Sequence, residues 1–314
     1  MKKRLVLVIN SRSSGFKTIQ TKILPHLNEL QLNENQLATF EIQPTTPIEN
    51  AHEMAKMLHD DDVILVAGGD GTAHIATNAA MLSGKKNIQM KYTGFGNFND
   101  YANSFSKNSG KAAIWAFENG EVKSRIRPLE IRINGEFFRY APLYATVGLT
   151  AEMAEIFESK KLRKVLKKFH GRNSRLILSL IAATRFYFRH RQNYNLAISK
   201  IEIDGKEISK KTAKITDLVF MNGPRMARIM RSKINKTDAE HFGFTAMNAG
   251  DFRANIPFLV RGFLGKIPLQ RIRKSKIEFE KPAKIALQIE GEATFLREVK
   301  TLEICITDKI IEIL

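Results

Sequence analysis

The chain has little cysteine, no long apolar run and a shortage of acid, and each lack excludes something. A single cysteine, Cys305, among 314 residues rules out a disulfide within the chain and favours a reducing compartment. The alternating run "TLEICITDKIIEIL" predicts an inward-facing small apolar side chain there. No segment approaches the roughly 20 apolar residues of a membrane span, so any membrane contact is expected to be peripheral and the chain cytoplasmic. The opening "MKKRLVLVINSRSSG" has the charges of a signal peptide, but its apolar run is short and ends in polar turn residues, so it reads as a first strand. Acidic residues number 32 against 50 lysines and arginines, a net charge of +18. Such a balance calls for an anionic partner: nucleic acid, an acidic membrane surface or a phosphorylated substrate.

The length suits two domains. Up to about residue 121, apolar runs ("RLVLVIN", "ATFEIQ", "VILVAGG") alternate with helical patterns, which predicts an α/β domain on a parallel sheet with loops gathered at the carboxyl ends of the strands. Three loops should converge there: 10–15, 43–47 and 68–72. From about residue 122 to 314 the period changes to two, with Asn-Gly and Asp-Gly turns, which predicts a mainly antiparallel β domain. A basic helical segment, 151–191, is inserted in it, and the strands from about residue 300 have the option of returning to the first domain.

The stretch "VILVAGGDGTAHIATNAAM" poses the central question. A buried strand, a turn almost without side chains and a helix with outward-facing first amides make an anion site, often for phosphate. The turn is not the dinucleotide fingerprint, since His74 stands where a third glycine would be. Its distinctive feature is an acid, Asp70, held between glycines, with Thr72 expected to cap the helix. A carboxylate beside phosphates needs Mg²⁺ or a proton between them, which points to phosphoryl transfer. His74 and Asn78, four residues apart, are expected along the loop or helix surface while Ile75, Ala79 and Leu82 face the sheet. The loop "INSRSSGFK" has the composition of a phosphate turn without the Walker lysine, with Gly15 expected to supply a left-handed backbone. "YTGFGNFNDYANSF" adds a second glycine- and amide-rich turn with Asn99 or Asp100 as helix cap. Taken on its residues alone, "IEGEA" is a strand-end turn with solvated glutamates.

In their order, the Asn-x-x-Ser-Gly loop, Thr-Thr before a helix, GGDGT, and the Gly-x-Gly-x-x-Asn-Asp turn resemble the catalytic domain of the diacylglycerol kinase and sphingosine kinase superfamily, whose fold is shared with NAD kinases. "RPLEIRINGEFFRYAPLYATVGLTAEM" and "LQIEGEA" are similar to later family segments. The resemblance implies ATP with Mg²⁺ and transfer of the γ-phosphoryl group to a lipid hydroxyl. It places Asn10, Ser13, Ser14, Gly15 and Thr45 or Thr46 at the nucleotide, and Gly68, Gly69, Gly71 and Thr72 at phosphate. Asp70 falls near Mg²⁺ or the acceptor hydroxyl, and Gly96, Asn97, Asn99 and Asp100 belong to the supporting phosphate loop. Glu290 and Glu292 match the catalytic acid pair, one of them a candidate general base. The chain departs from the family pattern at Ile75 (commonly Glu), Gly94 (Pro), Asn97 (Thr), Phe242 (Asp) and Glu290 (Asp), and the extra methylene of Glu290 moves its carboxyl by roughly a bond length.

From Ser159 to Ile201 there is no acidic residue. Basic and apolar residues interleave between Lys160 and Arg191: the first part predicts a basic amphipathic helix, facing either an anionic membrane or solvent with its apolar side on the β domain, and "LILSLIAATRFYF" a more apolar one suited to a core or a lipid-facing groove. No nucleic-acid-binding motif accompanies this charge, so no nucleic-acid partner is expected. Two rivals to a lipid kinase stay open: a kinase for a soluble acceptor such as NAD, and a catalytically weakened lipid- or nucleotide-binding protein. Homodimerisation is open as well.

Overall fold

The computed structural model describes the chain apart from residues 1–2, 14, 96–98, 106–116, 119, 159–180, 183–184, 191–193, 209–213, 227–229, 233–239, 249–260, 262–263 and 265–266. The first half alternates strands and helices: β1 (Leu5–Ile9), α1 (Phe16–Lys22), α2 (Leu24–Glu29), β2 (Leu37–Glu41), α3 (Pro47–Met57), β3 (Val63–Gly68), α4 (Asp70–Leu82), β4 (Gln89–Gly94) and α5 (Asp100–Phe105), followed by β5 (Ser124–Ile126). Strands β2, β1, β3 and β4 lie side by side and parallel. Side chains alternate across each strand, and helices cover both faces of the sheet. Leu5 and Leu7 pack with Ile19, Ile23 and Leu27 of α1 and its continuation, while Val6 and Val8 pack with Met54 of α3 and Ala76 of α4. The helix α3 is fixed at its start by Thr46, whose hydroxyl accepts from the Glu49 amide while the Glu49 carboxylate accepts from the Thr46 amide, a complete capping box.

The second half is antiparallel: β6 (Leu129–Ile133), β7 (Glu136–Ala141), β8 (Tyr144–Gly148), helix α6 (Leu149–Glu158), β9 (Ile198–Ile203), β10 (Lys206–Glu207), β11 (Ile215–Met221), β12 (Arg225–Met226), β13 (Met230–Arg231), β14 (Phe242–Asn248), β15 (Gln270–Ile272), β16 (Lys274–Ile289) and β17 (Glu292–Ile306). Their order is β15-β14-β11-β8-β16-β17-β6-β7, with β9 and β10 on β16 and a separate β12-β13 pair. The long strand β16 changes neighbours along its length, pairing β9 near Ile277 and β8 near Leu287. Its register with β17 shifts around Pro282, where a ladder donor is missing. The sheet therefore folds over, and Phe220 and Phe242 from one end share a core with Ile131 and Ile201 from the other. Three two-residue turns, Asn134-Gly135, Asp204-Gly205 and Glu290-Gly291, have both residues at positive φ, the geometry that matches strand twist in tight hairpins.

The last strand, β18 (Ile311–Ile313), leaves this sheet and enters the first one, parallel to β4 and antiparallel to β5. The α/β half is thus closed by a strand from the end of the chain, and β5, just past residue 122, is its outer edge. The apolar cluster around α4 runs on without a break into Tyr140, Leu143, Val219 and Met221 of the antiparallel half.

Candidate active site

The loops after β1, β2, β3 and β4 share one edge of the parallel sheet. The strand β3 is buried along its whole length and ends at Gly68, and α4 starts at Asp70 with Gly69 as its N-cap. The N-cap, a glycine, has no side chain with which to cap the helix. Thr72, expected to do so, is instead buried one turn in, and a Cβ on Gly68 would come within 2.5 Å of its hydroxyl. Gly68 is needed for that close approach, while the Gly71 side of the turn is open, with nothing within 4 Å of where a Cβ would be. Uncapped amides beside an open face are the arrangement a phosphate group fits.

In the first loop Asn10 Oδ1 accepts from the Arg12 amide at 3.1 Å, and Ser13 Oγ is buried without a hydrogen-bond partner among the described residues. Gly15 has φ −90°, so the expected left-handed backbone is absent. Its lack of a side chain serves contact instead: a Cβ there would lie 1.8 Å from the carbonyl oxygen of Phe95, which joins the first loop to the fourth. In the second loop Thr45 and Thr46 are exposed, and the buried amide of Asn50 holds their backbone. Asn50 Oδ1 accepts from the Gln43 amide at 2.7 Å, and its Nδ2 donates to Thr45 Oγ1 at 2.8 Å and to the Thr46 carbonyl at 3.1 Å. Ser14, Gly96 and Asn97 lie outside the described residues.

Asp70 turns toward α5. Its Oδ2 accepts from the Asn99 amide at 2.9 Å and its Oδ1 from the Tyr101 amide at 3.2 Å, so Asp70 binds the amides at the start of α5. Asn99 holds φ 140° in making that turn. Burial, reinforced by the nearby Asp100 carboxylate, pushes the Asp70 carboxyl up to about 7. A cation beside it would favour the ionised form. Among the described residues no cluster of three or more His, Cys, Asp or Glu side chains encloses a metal. Mg²⁺ does not need one, because it is commonly held by one or two carboxylates with phosphate oxygens and water. The open turn, the buried Ser13 hydroxyl and this carboxyl therefore fit a Mg²⁺–nucleotide. Asp70 would hold the ion, which when bound neutralises phosphate charge.

The acid pair divides. Glu290, expected as a solvated turn residue, has a side chain only 1% exposed. It accepts from the Leu143 amide at 2.6 Å, from the Tyr101 hydroxyl, and from His74 Nδ1 at 3.3 Å. Glu292, two residues on, is 35% exposed and pairs with Arg139 Nη1 at 3.2 Å. His74 and Asn78 are not on the helix surface as expected: every residue of α4 from Thr72 to Met81 is buried, and these two face the antiparallel half. Asn78 binds the backbone of Tyr140 twice, Nδ2 to the carbonyl at 3.1 Å and Oδ1 from the amide at 2.9 Å. The residues that sequence reasoning misses, Asn50, Tyr101, Arg139 and the inward roles of His74 and Asn78, give one visible signal, the i, i+4, i+8 spacing of Asp70, His74 and Asn78. Phe242, where the resemblance puts an acid, is fully buried against Phe220 with ring centroids 6.3 Å apart. The Lys160–Arg191 segment lies mostly outside the described residues; within it residues 181–182 and 185–190 are helical.

Fold and site together define a chain in which an α/β half on a parallel sheet is joined to an antiparallel half, Tyr101 bonding both Asp70 and Glu290. Residues 4–127 match the family model of the diacylglycerol kinase catalytic domain. A solved structure of a diacylglycerol kinase from Bacillus anthracis str. Sterne has the same fold, with TM-score 0.66 and 18% identity, covering 98% of this chain and 96% of that one. Two further structures from that organism, provisionally assigned the same activity, match with TM-scores of 0.66 and 0.65 at 18% identity; they cover 99% and 98% of this chain and 97% and 96% of theirs. No curated protein matches the chain in sequence. The resemblance to the diacylglycerol kinase-like superfamily thus holds in sequence over the α/β half and in fold over nearly the whole chain. Among the described residues no helix is long and apolar enough to cross a membrane.

Proposed function

We propose that this protein is an ATP- and Mg²⁺-dependent lipid kinase that transfers the γ-phosphoryl group to a lipid hydroxyl. The observation that carries the reading is a link through Tyr101: its amide donates to Asp70 at the start of α4, and its hydroxyl donates to Glu290, in the turn that leads to Glu292. Phosphoryl transfer asks a protein mainly for positioning and charge neutralisation, and this arrangement supplies both. The loops 10–15 and 43–46 would bind the nucleotide, with the α4 amides and Ser13 on its phosphates. Asp70 would hold the metal, and its bonds to α5 keep the carboxylate oriented. Glu292, the more accessible acid, is suited to accept the acceptor's proton, while Glu290 already has three donors in the folded chain. The acidic residues missing from 159–201 and the bases that replace them support an anionic membrane surface as the place of reaction.

The test is transfer of label from γ-labelled ATP, with Mg²⁺, into a mixed lipid extract on anionic vesicles, with NAD as a parallel acceptor. Wild type should put label in the lipid phase; Asp70→Asn should abolish it and Glu292→Gln should lower it by about 100-fold or more. Label in NAD alone would replace the lipid acceptor, and ATP binding without any transfer would overturn the kinase reading. Vesicle binding should weaken with added salt.

A further inference from the structure

One face of α4 forms a joint between the two halves of the chain. Asp70, His74 and Asn78 lie one turn apart on one face, and each engages a different element. Asp70 binds the start of α5; His74 meets Glu290; Asn78 grips the Tyr140 backbone in the manner of a neighbouring strand. Glu290 is the centre of the joint. A carboxylate so deeply buried persists only with donors around it, and its three come from both halves: His74 and Tyr101 from the α/β side, the Leu143 amide from the antiparallel side. Burial, then the charge of Glu290, drives the Tyr101 phenol well above its ordinary value, so it remains a neutral donor. His74 Nδ1 donates to Glu290 when it carries its proton, while the two amide hydrogens of Asn78 go to the carbonyls of His74, at 3.0 Å, and Tyr140, at 3.1 Å.

The hairpin turn is only two residues long, so whatever fixes Glu290 fixes Glu292 immediately after it. We propose that His74 is a positioning residue: through Glu290 it sets the distance between the acceptor-side acid Glu292 and the nucleotide-side acid Asp70. This inference rests on the kinase reading for its consequence in catalysis, but the joint itself is independent of it. A misplacement of about 1 Å at a reacting group costs about 100-fold in rate. His74 is buried, only 3% exposed, so its loss should lower kcat and leave nucleotide binding alone.

The experiment compares wild type with His74→Leu and His74→Gln, the second keeping a donor within reach of Glu290. Circular dichroism and thermal melting first establish that each variant is folded. Hydrogen exchange then reads the Leu143 amide, which donates to Glu290: its protection should fall in His74→Leu, more than that of the β3 amides, and be restored in His74→Gln. In turnover, His74→Leu should lower kcat by about tenfold to 100-fold with KM for ATP unchanged, and His74→Gln should recover most of it. Unchanged Leu143 protection in a folded His74→Leu overturns the joint. Altered protection with unchanged kcat, or equal losses in KM and kcat, overturns the positioning role. If wild type transfers no phosphate to any acceptor, the kinase reading fails while the exchange result still decides the joint. Should His74→Leu not fold, Tyr101→Phe removes a different donor to the same carboxylate and is read in the same way.

Discussion

At the scale of single residues, buried acids do structural duty here before any chemistry. Asp70 binds the start of α5, and Asp217 does the same for α6: its Oδ1 accepts from the Thr150 amide at 2.6 Å from inside β11. Asp217 is fully buried, and burial, only partly offset by the Thr150 bonds, pushes its carboxyl up to about 6 from 3.8. The sign follows directly. Between about pH 4 and 6 the folded chain holds this proton more tightly than the unfolded chain, so stability is greatest below the unfolded value and falls as pH rises through about 6. Across that window the carboxyl removes on the order of 3 kcal/mol from the folded state. Asp70, raised to about 7, adds a loss of the same sign at slightly higher pH. Urea unfolding at intervals from pH 4.5 to 7.5 should therefore show stability declining with pH, and Asp217→Asn, which keeps an oxygen for Thr150, should flatten part of that decline. An identical slope in the variant would mean the carboxyl is not the source.

At the scale of elements, strands and turns are the legible part. Val63 to Gly68 declares itself by its unbroken apolar run, and the Asn-Gly and Asp-Gly pairs mark hairpins because few residues tolerate positive φ at both turn positions. What stays hidden is which way a side chain faces. The alternation around Cys305 predicts an inward thiol, yet Leu302 and Ile304 take the inward face and leave it half-buried on the other. Gly15 looks like a backbone need and is a contact need, which depends on Phe95, eighty residues away. Loop 43–46 shows the same limit: Thr45 and Thr46 stand out in sequence, whereas Asn50, one residue in a helical stretch, organises them. Asn50→Ala should leave α3 intact, since Thr46 and Glu49 still form the capping box. It should loosen the loop and weaken binding of a non-hydrolysable ATP analogue by about tenfold, or ~1.4 kcal/mol. Calorimetric titration reads the affinity and circular dichroism the helix; unaltered affinity would remove the loop from the nucleotide site.

At the scale of the whole molecule, the two halves are not separable beads. His74 meets Glu290 and Asn78 meets Tyr140 across long sequence separations, and no local pattern announces such pairs. The final strand goes further, inserting between β4 and β5 so that the α/β sheet is completed only after the antiparallel half has been traversed. Ile313 is fully buried there, the Leu314 amide donates to the Met90 carbonyl, and the buried Lys91 ammonium donates to the Leu314 backbone oxygen at 2.7 Å. Glu312 ties the same strand to Gln89 at 2.9 Å and to Arg125 at 3.1 Å. If the halves share one cooperative unit, a cavity at Ile313 must be felt by both. Ile313→Ala should cost about 2 to 5 kcal/mol. The loss should appear as a single shifted unfolding transition seen alike by exchange at the β3 amides and at the β11 amides, because the apolar cluster around α4 continues into Val219 and Met221. Two separate transitions, with β11 unaffected, would instead mean that the α/β half melts alone and that the joint at α4 does not couple the domains.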